Sequence, residues 1–195
     1  MSRVFVITGP SGVGKGTLIR TLLERVPELE LAVSATTRRP RLGETHGVDY
    51  HFLSDEEFQR LVDAGAFVEH ADYSGRRYGT LRSELEQRLA RDASVVLEIE
   101  VQGARQVKRT MPEAVRIFIA PPSEEALRTR LIGRGTDTTE DMEQRLSTAA
   151  QELSAQGEFG HVVVNDRLED AVAALEEVVR AALGSDATPP TEEPS

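Results

Sequence analysis

The chain has 195 residues, 39% of them apolar, which is enough for one substantial core and too little for a second independent domain beyond a small insertion. A net charge of −10 argues against nucleic acid or an acidic membrane as a general partner, because both call for a basic surface. With no cysteine and four scattered histidines, disulfides and thiolate metal sites are excluded, and the chain reads as cytoplasmic.

The apolar run at 3–8 predicts the first strand, is too short for a signal-peptide core, and no later run approaches the ~20 residues of a membrane span. It stops at Gly9-Pro10-Ser11-Gly12-Val13-Gly14-Lys15-Gly16-Thr17, and Leu18, Ile19, Leu22 and Leu23 then set the spacing of a helix over 15–25. A strand, a glycine-rich turn ending in lysine and a helix make a phosphate-binding loop that would take ATP. Backbone N–H groups close on phosphate oxygens only where side chains do not intervene, the helix N-terminus favours the anion, and Lys15 reaches the terminal phosphates. Gly16 stands where a Mg-coordinating Ser or Thr normally follows the lysine, and Thr17 comes one position later.

Further strands are predicted at 31–34, 94–100, 115–120 and 161–165, and further helices at 103–111, 123–131, 140–155 and 168–183. That alternation predicts an α/β fold with a parallel five-stranded sheet flanked by helices. Between 34 and 80 the pattern changes to short strands at 49–52 and 67–73 around a helix opened by the capping box Ser54-Asp55-Glu56-Glu57 and closed by Gly65, a small α+β insertion. Arg38, Arg39 and Arg41 form a positive cluster in this acidic chain, suited to bidentate contact with phosphate. Residues 184–195, with three prolines and three acids, predict a disordered tail.

With these residues in view, the chain resembles the guanylate kinases, a family of nucleoside monophosphate kinases. The resemblance spans about the first 183 residues: the G-P-S-G-x-G-K loop, S-A-T-T-R-x-P-R-x-G-E from Ser34, G-x-D-Y-x-F from Gly47, Y-G-T from Tyr78, I-x-V-Q-G from Ile99, A-P-P-S from Ala120, R-L-x-x-R-G from Arg130 and V-V-N-D from Val163. It implies transfer of the γ-phosphoryl group of MgATP to GMP, with Arg38, Arg41, Tyr50 and Tyr78 on the GMP phosphate and Ser34, Glu69 and Thr80 on guanine. Glu98 and Glu100, usually aspartates, would line the space between the nucleotides, Glu98 toward GMP and Glu100, with Thr17, toward Mg²⁺ through water. Residues 128–145 resemble the family's lid, where Arg134, Arg145 and Arg130 join Lys15 as the catalytic cations, and Asn165 would contact adenine. The implied organisation is a core of 1–33, 81–127 and 146–183, a GMP-binding insertion of 34–80, the lid and the tail.

Two other readings stay open on the residues: a kinase of a phosphorylated sugar, which needs no base-reading pair such as Glu69 and Thr80, and a phosphopeptide-binding module, which needs neither Lys15 nor the lid arginines. ATP and GMP are the expected partners, without nucleic acid or membrane, in a monomer or homodimer.

Overall fold

The structure, a computed structural model, describes residues 2–73, 75–132 and 139–184, the side chains of 132 and 139–145 excepted. The predicted tail from 185 onward and the middle of the predicted lid, including Arg134, lie outside the described residues.

Five parallel strands form the main sheet in the order β2 (Leu29–Leu31), β7 (Ser94–Glu98), β1 (Val4–Thr8), β8 (Val115–Ala120), β9 (His161–Val164). β1 is central and buried on both sides because successive side chains point to opposite faces. Phe5 and Ile7 join Ile19 and Leu22 of α1 (Lys15–Arg25) and Leu175 and Val179 of α7 (Leu168–Gly184). Val6 joins Leu85 of α3 (Arg82–Leu89) and Ala104 and Val107 of α4 (Val101–Thr110) on the other face. Two more helices, α5 (Glu124–Ile132) and α6 (Thr139–Ser154), extend the first layer, where Leu127 and Ala149 join the same cluster as Phe5.

The insertion has its own four-stranded sheet, in the order β4 (His51–Phe52), β3 (Ala35–Thr36), β6 (Arg76–Leu81), β5 (Phe67–Tyr73). Its core is small: Phe58 of α2 (Asp55–Asp63) stacks on Phe67 with ring centroids 4.5 Å apart. The capping box forms as expected, Glu57 N–H donating to Ser54 Oγ and Ser54 N–H to the Glu57 carboxylate.

Two expectations need correction, and two elements went unpredicted. The second strand lies at Leu29–Leu31 rather than 31–34, because after Ala32, whose N–H still bonds Val96, the chain leaves the sheet for the insertion. The strand expected to run to residue 100 stops at Glu98, and Glu100 is the extended residue that opens α4, with φ −79° and ψ 162°. α3 and β6 carried no periodic signal, since α3 buries only Leu85 and its first residue has no side-chain cap. α5 and α6 run across the boundaries expected for the lid, at 127/128 and 145/146. No described helix is long and apolar enough to cross a membrane.

Candidate active site

The phosphate loop leaves the central strand β1 at the carboxyl edge of the parallel sheet, where open α/β sheets bind ligands. The loop after β1 turns at Gly14, whose φ of 99° is left-handed and thus open to glycine, and there α1 begins with its N–H groups directed into the loop. Lys15 Nζ donates to the Gly9 carbonyl at 2.5 Å and the Pro10 carbonyl at 3.3 Å, folding over its own loop. Around Gly16 a Cβ would meet nothing within 4 Å, and Thr17 is exposed beside it.

Arg130 and Asn165 brace this loop from outside. The Asn165 side-chain amide donates to the Val13 carbonyl at 2.7 Å, and the Arg130 guanidinium donates to the carbonyls of Val13 (3.4 Å) and Asn165 (3.1 Å). Arg130 therefore bonds to the frame of the loop rather than projecting freely, a contact that its place in a lid motif did not foretell.

A cleft of about 200 Å³ runs from Lys15 into the insertion, lined among others by Ser34, Tyr50, Glu69, Tyr78, Glu98 and Glu100. Thr80 stands behind its wall and donates its hydroxyl to Glu69 Oε1 at 2.8 Å. Glu69 is buried, and desolvation pushes its carboxyl up to about 7 in spite of that hydrogen bond. Arg38 sits above Tyr50, 5.2 Å from the ring centroid, and forks onto Glu44 with N–O distances of 2.8 and 2.9 Å. The same carboxylate accepts the Arg41 N–H at 2.6 Å, and these contacts, Arg38 first, hold Glu44 down at about 2. Arg38 and Arg41 do not line the cleft itself; Arg41 is exposed on the loop beyond its rim.

Between the two halves lie three carboxyls. Burial raises Glu98, opposed by Lys15. Glu152, from α6, is buried at 7% exposure and is pushed up to about 8 by desolvation first and then by the neighbouring carboxyl of Glu100. Its Oε2 also accepts the Ser11 N–H at 3.3 Å. Glu100 Oε2 is buried and has no hydrogen-bond partner among the described residues.

Comparison with known proteins supplies the family. A sequence model of the family "Guanylate kinase" matches residues 1–182. This chain belongs to the guanylate kinase family. It is 53% identical over 176 residues to the guanylate kinase of Synechococcus sp. (strain CC9311), covering 90% of this chain and 93% of that protein. It is 54% identical over 175 residues to the guanylate kinase of Mycolicibacterium paratuberculosis (strain ATCC BAA-968 / K-10), covering 89% and 78%. The crystal structure of guanylate kinase from Anaplasma phagocytophilum superposes with a TM-score of 0.76 at 35% identity, covering 92% of this chain and 85% of that one.

Among the guanylate kinase motifs, the structure thus brings together Ser34, Tyr50, Glu69, Tyr78, Thr80, Glu98, Glu100 and Lys15, with Arg38 at the rim and Asn165 behind the loop. Arg134 and the side chain of Arg145 lie outside the described residues. Sequence reasoning missed Glu44, which stands at the end of the arginine motif, and Glu152, which nothing in the pattern of α6 marks out. It also missed Gln106 and gave Gly103 no task beyond its place in the Q-G turn. Both are on α4 against β5: Gln106 bonds the backbone of His70 at 3.2 and 2.6 Å, and Glu69 packs on Gly103.

Proposed function

We propose that the chain transfers the γ-phosphoryl group of ATP to GMP, giving ADP and GDP. One observation carries the reading: a single cleft joins the lysine of a phosphate loop to a buried carboxylate, Glu69, paired with Thr80. Guanine presents N1–H and a 2-amino group as donors, and a carboxylate accepts hydrogen bonds, so Glu69 reads guanine and meets the lone pair of adenine N1 unfavourably. The phosphate of GMP docks on Arg38, Arg41, Tyr50 and Tyr78, with Glu44 presenting the Arg38 fork. Asn165 faces the adenine side, and Glu98 separates the two nucleotides.

No tuned base is needed, because an oxygen of the GMP phosphate is already ionised. It forms a bond to the γ-phosphorus as the bond from that phosphorus to the β,γ-bridging oxygen breaks, and the electron pair leaves on ADP. Lys15 moves from its carbonyls to the ATP phosphates, and Arg134 and Arg145, with Arg130 behind them on the frame of the loop, place positive charge against the transferring group. Mg²⁺ takes most of its ligands from phosphate and water and so calls for few protein groups. Glu100, with its buried donor-free Oε2, and Thr17 are the residues that would hold it, and when bound it neutralises charge on the phosphate oxygens. A cysteine-free acidic chain suits the cytoplasm, with small anionic substrates as its partners.

An ADP-release assay across nucleoside monophosphates tests the reading. GMP should exceed AMP by at least about a hundredfold in kcat/KM, since a wrong base leaves polar groups unpaired. Equal turnover of AMP, or turnover of a sugar phosphate in place of GMP, would reject it.

A further inference from the structure

α6 docks on the core through its apolar side chains: Ala149 is buried, and Leu146 and Leu153 pack against the same cluster. Such contacts are non-directional and would tolerate small slides or rotations of the helix. Glu152 lies on the same element but is buried, with its carboxyl turned to the phosphate loop. Its Oε2 accepts the Ser11 N–H of the phosphate loop at 3.3 Å, and its carboxyl lies against that of Glu100 at the start of α4. A glutamate on a 16-residue helix could stand in water at no cost, so its burial here needs a compensating task.

The task follows from what the three groups belong to. Ser11 is in the loop that would cradle ATP, Glu100 ends the turn between the nucleotides, and α6 carries Arg145 seven residues, or two helical turns, before Glu152. A helix is stiff over about 10 Å, so a directional contact at one point sets the position of a residue two turns away. We infer that Glu152 is a positioning residue for phosphoryl transfer: pinned between the Ser11 amide and Glu100, it fixes the register of α6, and so of Arg145, against the phosphate loop. The inference rests on the reading of the site as a GMP kinase, and it adds a residue that the family motifs quoted above do not contain.

The test compares wild type with Glu152→Gln, Glu152→Asp and Glu152→Ala in kcat, in KM for GMP and in thermal melting. The amide of Gln offers an oxygen to the Ser11 N–H and an NH₂ to Glu100, so it should keep kcat within about threefold. Ala removes both contacts and Asp is a methylene too short to hold both, so each should lose about tenfold or more in kcat, with KM for GMP within about twofold. A kcat for Ala within twofold of wild type would overturn the inference. So would a Gln variant as impaired as Ala, which would make the charge the essential feature, or a rise in KM for GMP matching the loss in kcat, which would indicate damage to the pocket. Should Ala not fold, Asp and Gln are scored by the same criteria. Wild-type turnover of GMP reads the proposed function separately, and its absence would reject that function whatever the variants do.

Discussion

A Cβ at position 103 would overlap Oε2 of Glu69 and lie 2.9 Å from its Cδ, so the carboxyl group occupies the space a side chain would take. Gly103 is inside a helix, where alanine is intrinsically better by about 1 kcal/mol. The position thus gives up helix stability so that Glu69 can sit deep, facing the cleft with Thr80 behind it. Gly103→Ala should push Glu69 aside, raise KM for GMP by about tenfold or more and narrow the preference for GMP over AMP, while the melting temperature falls little or not at all. Steady-state kinetics with both nucleotides checks this, and an unchanged KM for GMP would separate Glu69 from base recognition. Neither partner of this contact could be inferred from the other in the sequence: the two are 34 positions apart, and only the packing of β5 on α4 brings them together.

That packing is itself specific. β5 is an edge strand of the small sheet, and an edge leaves backbone N–H and C=O groups in need of partners. Gln106 supplies both at His70, accepting its N–H at 3.2 Å and donating to its carbonyl at 2.6 Å, and it stands three residues after Gly103 on the face α4 turns to β5. Gln106→Leu should leave the His70 groups unpaired at a cost of about 1–3 kcal/mol and raise KM for GMP several-fold, with KM for ATP unchanged. A melt and two substrate titrations measure both effects, and a parallel rise in KM for ATP would contradict the division of the site into two sides. At this scale the strongly periodic elements, α1 and α7 above all, were legible in the sequence because one apolar stripe faces one sheet. α3 was not, because it is held through Leu85 and through Glu84, which reaches His51, Arg88 and the Val33 N–H and so ties the insertion to the core. Paired charges on a helix look like a solvated face until their partners are known.

Over the whole molecule, burial raises Glu69 to about 7 and Glu152 to about 8, with Glu98 shifted in the same direction. A carboxyl raised in the folded state binds its proton more tightly there than in the unfolded chain. Its stabilising contribution is complete below about pH 4.5 and is lost as pH rises through the folded value. Glu44, Glu57, Glu84, Glu158 and Glu176 are lowered, so theirs is present above that range and is lost in acid. The chain without nucleotide should therefore be most stable near pH 5–6 and weaken toward pH 8. Glu69→Gln, which is neutral throughout, should stabilise the chain at pH 8 by on the order of 2 kcal/mol, or about 5 °C in Tm, and change little at pH 5. Melts at the two pH values check the sign, and equal effects at both would mean that Glu69 does not titrate between them.

What the sequence determined by itself is the phosphate loop and the sheet it grows from. The loop acts through its own contiguous backbone, whose path is set by local sterics and glycine, and an apolar run followed by a helical stripe names the strand and helix on either side. The tertiary structure alone decided which distant side chains brace the loop: Asn165 reaches Val13 across 152 positions, and Glu152 reaches Ser11 across 141. The physical reason is burial. A lone glutamate on an amphipathic helix reads as solvent-facing in any periodic pattern, and it becomes part of a phosphate site only when another element closes over it and turns its carboxyl to the loop and to Glu100.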